Sequence, residues 1–361
     1  MVAPAPDPLV TDRAAFRARF PLPDDMEARY GLPGKSAFVE AFVGARDKVE
    51  AAYYEIADRQ TTPNERARKF LGAMLNPVLG KPMRDPEQFY QTFGRLMRRA
   101  WLSCSVGMYG DDVQRVATEA ERLILAQVNT VDINWRPAVS RIARAGGRGL
   151  IVEVGTGRGN SVARLATLLP EARIVSLTIS PEQHDIVKGI VEEMGLSNVE
   201  IRRADIFDPA ATADLVGEAD AVGAIEVVLH FPTARKLEGM RLMTRLLKPG
   251  APLCIVDTMM TAPLGALAER YYANQCIYFG QREQYFDLFA QADLTPAAYV
   301  DYTPDLYQTF RETTHVLRRF RGDLREEFGW VMSLLWPEVP GTVYIQTLKN
   351  VRYVHAVGLK N

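Results

Sequence analysis

The stretch Gly149-Leu-Ile-Val-Glu-Val-Gly-Thr-Gly-Arg-Gly-Asn160 constrains the chain more than any other. An apolar run broken only by Glu153 stops at glycines 155, 157 and 159, and an amphipathic segment, 161–169, follows at once. That order predicts a buried parallel strand, a tight turn and the first turn of a helix, the opening unit of a nucleotide-binding α/β sheet. Glycine lets the backbone take positive φ and approach a ligand with no Cβ in the way. In dinucleotide-binding turns the last glycine of the motif seats a pyrophosphate on the helix N-terminus, and here that place holds Asn160. Glu153, two residues before the first glycine, suits a cationic ligand instead.

The strand and helix alternation continues. Segments 173–179, 199–201, 219–225 and 253–257 read as further strands, and Ser180-Pro-Glu-Gln183 opens a helix with serine as its cap and proline at its first position. Repetition of this kind demands a parallel sheet with helices on both faces. Two alternating runs within 343–359 read as antiparallel strands closing the sheet's edge. Before the sheet, residues 12 to about 131 read as helix after helix, broken at Pro21–Pro23, Gly31–Gly34, Thr61–Pro63 and Lys81–Pro86. Ser36 reads as the cap of one helix, and a polar helix is expected from Asp112 to about Gln127. Residues 261 to about 330 read as aromatic-rich helix. The expected organisation is a helical N-terminal element over 1–140, serving as cap or dimerisation surface, and a second domain over 141–361 with a helical insertion at about 261–330.

A net charge of -1 offers no field for nucleic acid or an acidic membrane surface, so neither is an expected partner. Three cysteines without C-x-x-C spacing argue for a reducing compartment and against a disulfide frame or a structural metal site. The N-terminal residues lack a secretory pattern and no apolar run is long enough to span a membrane, so a cytoplasmic location is expected.

The acidic-x-Gly-x-Gly-x-Gly pattern of residues 153–159 resembles the first motif of class I S-adenosylmethionine (SAM) dependent methyltransferases. The resemblance implies a Rossmann-like seven-stranded α/β sheet with a helical lid insertion, and SAM as cofactor, held at the carboxyl ends of the strands. Glu153, Gly155 and Gly157 would take its amino-acid end. Leu-Thr-x-Ser-x-x-Gln, at 177–183, is similar to the cyclopropane synthases and terpenoid C-methyltransferases, which implies that Thr178 and Gln183 hold the ribose hydroxyls. Asp205 and Ile206 resemble the pair that takes the adenine, although a lone aspartate there also suits a turn. Trp101-Leu-Ser-Cys-Ser-Val-Gly-Met-Tyr109 resembles the segment that closes over SAM in cyclopropane synthases.

Ala224-Ile-Glu-Val-Val-Leu-His-Phe-Pro232 is similar to the sterol C-methyltransferase pattern Ala-Ile-Glu-x-x-x-His-x-Pro. An alkene that attacks the sulfonium methyl leaves a carbocation, and the reaction ends only when a base removes an adjacent proton. Glu226 is the candidate base. His230 either orients it or the substrate, or caps the strand-helix loop. Tyr271, Tyr272, Tyr278 and Tyr285 either line the substrate site and shield the cation or form the insertion's own core. Arg282 and the arginines at 318, 319, 321 and 325 would grip a diphosphate, with Mg2+ if the substrate is one, or form a solvated helix face. The expected activity is C-methylation of an apolar, olefinic, terpenoid-like small molecule such as a prenyl diphosphate or sterol in specialised metabolism. O- or N-methylation of a natural product is the alternative, and a non-methylating SAM-binding scaffold the second; a homodimer is a candidate assembly.

Overall fold

Among the described residues, eight strands form one sheet: β1 Leu150–Val154, β2 Arg173–Thr178, β3 Val199–Arg203, β4 Ala221–Ile225, β5 Pro252–Met260, β6 Gly280–Gln281, β7 Leu294–Asp301 and β8 Val351–Lys360. Their order is β3-β2-β1-β4-β5-β8-β7, with the two-residue β6 beside the end of β5. The first five strands run parallel, and β8 enters antiparallel between β5 and β7. The structure is a computed structural model that describes residues 9–59, 61–78, 83, 100–103 and 105–361. The side chains at 57, 58, 70, 73–78 and 282 lie outside that description, so the expectations for the Lys81–Pro86 break, Cys104 and the Arg282 side chain fall outside it too.

Among the described residues the main helices are α1 Arg13–Arg19, α2 Asp24–Tyr30, α3 Leu32–Asp58, α4 Pro63–Val78, α5 Asp111–Gln114, α6 Glu119–Arg144, α7 Asn160–Leu168, α8 Pro181–Glu193, α9 Lys236–Arg245, α10 Ala266–Asn274, α11 Arg282–Gln291, α12 Thr303–Arg319 and α13 Arg321–Leu335. β1 is buried along its whole length, and alternate residues serve opposite layers: Ile151 meets α6, α7 and α8, whereas Val152 and Val154 meet the layer of α9 and α11. The N-terminal region builds part of the first layer. Trp135 of α6 is fully buried against β4, where a Cβ on Gly223 would meet its ring at 2.6 Å. Its Nε1 donates to Ser161 Oγ at 2.9 Å, tying α6 to the first turn of α7. Truncating Trp135 to alanine is expected to cost about 3–5 kcal/mol. α6 runs on across residue 140.

Local differences from the sequence reading have physical causes. Gly34 lies inside α3, because α2 crosses so closely that a Cβ there would meet the Arg29 carbonyl oxygen at 2.3 Å; Ser36 is consequently helical and caps nothing. The polar helix divides at Arg115–Thr118, and Thr118 accepts from the Glu121 N–H to cap α6. Residues 294–301, expected as helix, are a strand whose Pro296 sits at a register shift on the sheet edge, where a missing N–H is tolerated. Val10 covers that edge: its N–H donates to the Ala297 carbonyl at 3.1 Å, and its carbonyl accepts from the Tyr299 N–H at 2.8 Å. The first of the two expected C-terminal runs, from Val343, is helical instead, and β8 alone supplies the closing strand.

Candidate active site

The carboxyl ends of β1, β2, β3 and β4 surround a cavity of about 360 Å³. Glu153, Gly155, Gly157, Thr178, Gln183, Asp205, Ile206, Glu226, His230 and Tyr278 all line it. Tyr271, Tyr272 and Tyr285 do not, which corrects their assignment to the substrate site. Tyr272 packs edge-on against Tyr271 and Phe279 and shares a hydrogen bond with Thr347. Tyr285 is buried under the sheet and donates to Asp257 at 3.1 Å, because α11 packs on the sheet and does not close over the strand ends. The arginine run is also elsewhere: Arg318 and Arg321 pair with Glu338 on the surface.

Gly155 adopts φ +86°, and a Cβ there would meet Val227 Cγ2 at 2.3 Å, so the glycine turn and the loop after β4 touch. Glu153 is buried and accepts from Ser176 Oγ at 2.6 Å; burial pushes its pKa up to about 7, opposed by hydrogen bonds from Ser161 and Ser176. Thr178 Oγ1 donates to Gln183 Oε1 at 2.8 Å, which presents the pair as one polar wall. Ser180 Oγ accepts from the Gln183 N–H, the expected helix cap. Asp205 is exposed, and one of its oxygens accepts from the Phe207 N–H at 2.9 Å, so it forms the turn while keeping its other oxygen. Ile206 is buried beside it; Phe207 stands edge-on to Phe231 and carries the Arg235 guanidinium on its face at 3.9 Å.

Glu226 follows β4 with φ +54°, in the left-handed region that a side chain adopts at a cost of order 1 kcal/mol or more. The turn aims its carboxylate into the cavity edge, where Oε1 accepts from the Val106 N–H at 2.7 Å and from the Tyr353 hydroxyl at 2.9 Å. Burial raises its pKa to about 7, the two donors oppose the rise, and the charge of Asp257 adds to it. His230 Nδ1 lies 2.8 Å from the Cys276 carbonyl oxygen. A carbonyl can only accept, so Nδ1 carries the proton and Nε2 the lone pair. Burial lowers the His230 pKa to about 4, so the ring is neutral near pH 7.

Tyr353 and Arg158 escaped the sequence reading, whereas Ser103 and Ser105 belong to the segment expected to close over SAM and Asn160 to the glycine motif. Tyr353 comes from β8 at the far end of the chain, and only the long-range β5–β8 pairing brings it to Glu226. Arg158 lines the cavity and pairs with Glu50 of α3, two buried charges 108 positions apart. Ser103 and Ser105, within the quoted Trp101–Tyr109 segment, line the cavity and bond each other at 2.7 Å. Asn160 is buried at the cavity wall, and its Nδ2 has no hydrogen-bond partner among the described residues. An orphaned donor facing a cavity is the condition a ligand acceptor relieves. Among the described residues no cluster of three or more His, Cys, Asp or Glu could hold a metal ion, and no helix is long and apolar enough to cross a membrane.

Residues 151–250 match the family described as a methyltransferase domain. Similar solved structures include the [4+2]-cyclase SpnF, at 16% identity and TM-score 0.59 over 77% of this chain and 98% of that one. The cyclopropane synthase MmaA2 from Mycobacterium tuberculosis is similar at 14% identity and TM-score 0.58 over 81% and 94%. Geranyl diphosphate C-methyltransferase from Streptomyces coelicolor A3(2), solved with Mg2+, geranyl diphosphate and S-adenosyl-L-homocysteine, is similar at 18% identity and TM-score 0.54 over 78% and 99%. No curated protein matches the chain by sequence. Residues 151–250 thus match a methyltransferase domain, and the chain shares the class I SAM-dependent methyltransferase fold.

Proposed function

We propose that the protein transfers a methyl group from SAM to an alkene carbon of an apolar small molecule, with Glu226 as the base that completes the reaction. The observation that carries this reading is the Glu226 carboxylate itself: it edges the cavity, is fixed by Val106 and Tyr353, and has a proton affinity raised to about 7, near the optimum for a base at neutral pH. A cyclopropane synthase and a geranyl diphosphate C-methyltransferase among the similar structures support methyl transfer to carbon.

The residues fit SAM. Thr178 and Gln183 would offer hydroxyl and amide groups to a ribose, Asp205 and Ile206 a polar and an apolar contact to adenine, and Glu153 and the orphaned Asn160 donor would take the methionyl end beside the glycine turn. When bound, SAM supplies an electrophilic methyl on a sulfonium. The alkene's electron pair would form the new carbon–carbon bond as the methyl–sulfur bond breaks, its electrons staying on sulfur in the departing S-adenosylhomocysteine, and the positive charge would pass to the neighbouring substrate carbon. Glu226 then accepts a proton from the next carbon, whose C–H electrons form the new double bond. Neutral His230, with Nε2 as an acceptor, positions the substrate beside it. Tyr278 is the tyrosine that lines the cavity and would shield the cation.

Among the described residues, the arginines lining the cavity are already engaged, Arg158 with Glu50 and Arg235 with Glu238. The test is product analysis with methyl-labelled SAM and a panel of isoprenoid olefins, phenols and amines. Labelled methyl on carbon with loss of an alkenyl proton signal supports the reading; label on oxygen or nitrogen overturns it. SpnF, titled a cyclase, favours a second reading in which the fold serves a reaction without methyl transfer. No consumption of SAM with any member of the panel would support that reading instead.

A further inference from the structure

Behind the loop after β4 lie two buried, opposite charges that the reaction above does not use. Lys236, the first residue of α9, is 2% exposed, and Asp257 of β5 is fully buried. Lys236 Nζ donates to the Val228 carbonyl at 2.6 Å. Asp257 supplies the buried opposite charge that favours the ammonium. The gripped carbonyl belongs to the Val228–Leu229 peptide, so the ammonium holds the loop midway between Glu226 and His230. We propose that Lys236, with Asp257 as its buried counter-charge, clamps this peptide and is a positioning residue for Glu226 and His230, which flank it on either side. The clamp's value to turnover rests on the reading of Glu226 given above.

The surroundings fit a device that fixes one loop. Asp257 is itself fixed by the Thr258 N–H at 2.7 Å and the Tyr285 hydroxyl at 3.1 Å. The turn is tied on its other side too, since the Leu229 carbonyl accepts from the Tyr278 N–H at 2.7 Å. Glu226 needs such support because its positive φ is strained and the chain would relax it if the loop were loose. The titratable groups that face the clamp are Tyr285 from α11, Glu226 and His230 from the loop and Tyr353 from β8. Burial lowers the Lys236 pKa to about 8, with Asp257 opposing the fall, and raises that of Asp257 to about 6, with Lys236 opposing the rise. Each charge therefore depends on the other's presence.

Hydrogen–deuterium exchange of the full chain reads the clamp without reference to turnover. In Lys236→Met, amides of residues 227–231 are expected to exchange at least about tenfold faster while β1 to β4 stay protected. Initial rates should show kcat lower by about 10- to 100-fold, the cost of a small misplacement of reacting groups, with the dissociation constant for S-adenosylhomocysteine within about threefold of the unaltered protein. If Lys236→Met fails to fold because Asp257 is left alone, the double variant Lys236→Met, Asp257→Asn, which removes both buried charges, is read in the same way. Unchanged exchange at 227–231 in a folded variant overturns the clamp, as does a loss of cofactor affinity as large as the loss of kcat. Faster exchange with full turnover upholds the clamp and counts against Glu226 as the base.

Discussion

Replacing Tyr353 by phenylalanine removes a single hydroxyl and tests how Glu226 is tuned. In the structure that hydroxyl donates to Glu226 Oε1 at 2.9 Å, while the Val106 N–H, at 2.7 Å on the same oxygen, is untouched by the change. Burial and the neighbouring carboxylate push the Tyr353 phenol itself far above its ordinary range, so it remains a neutral donor throughout the accessible pH range. A hydrogen bond to a charged acceptor contributes about 1.5–3 kcal/mol, and one pKa unit corresponds to about 1.4 kcal/mol. Losing the donor destabilises the carboxylate, so the Glu226 pKa should rise from about 7 by about one to two units. The base is active when ionised, and its ionised fraction at pH 7 would fall from about one half to between about a tenth and a hundredth. kcat/KM at pH 7 should accordingly fall about 5- to 50-fold and recover above about pH 9. The assay is kcat/KM from pH 5.5 to 9.5 for both proteins at matched ionic strength. An acid limb that stays in place, or moves to lower pH, would refute the argument that this hydroxyl lowers the proton affinity of the base.

Other predictions draw on separate features. Gly155→Ala puts a Cβ into a φ +86° turn and against Val227 Cγ2, so both cofactor binding and the Glu226 loop should suffer. Calorimetry should show S-adenosylhomocysteine bound at least about tenfold more weakly, with stability lower by about 1–3 kcal/mol in urea. His355 is fully buried edge-on to Phe16, and burial lowers its pKa to about 3. The folded state therefore binds fewer protons than the unfolded one between about pH 3 and 6.5, and His355 costs stability as pH falls through that window. His355→Leu should make the pH dependence of the unfolding free energy shallower there by about 1.4 kcal/mol per pH unit, measured by urea titration at several pH values; an unchanged slope would show that the ring is not held neutral.

The opening unit was legible because its signals are local. Glu153, the three glycines and Ser180-Pro181 each act within one turn, and the alternation of strand and helix that follows leaves little choice of topology. The lining at the strand ends followed from the same logic, since ligands of open α/β sheets lie there. What escaped depends on contacts far apart in the chain. β7 carries Pro296 and little alternation, so its strand character comes from pairing with β8 and from Val10 on its edge. Tyr285 looks, in sequence, like any aromatic of an insertion, and only the packing of α11 beneath the sheet turns its hydroxyl to Asp257. Gly34 reads as a break because its spatial reason, the passage of α2, is invisible from its neighbours. Lys236 and Tyr353 belong to no motif; both gain their meaning from burial next to one short loop.

The account stands on Glu226 as the group that receives the substrate's proton, and Glu226→Gln measures that most directly, because the amide keeps the side chain's shape while giving up its basicity. At saturating SAM and olefin, single-turnover rates should fall by about 10² to 10⁴, with the dissociation constant for S-adenosylhomocysteine unchanged within about threefold. A variant that binds the cofactor equally well and still forms product at the original rate would contradict the account.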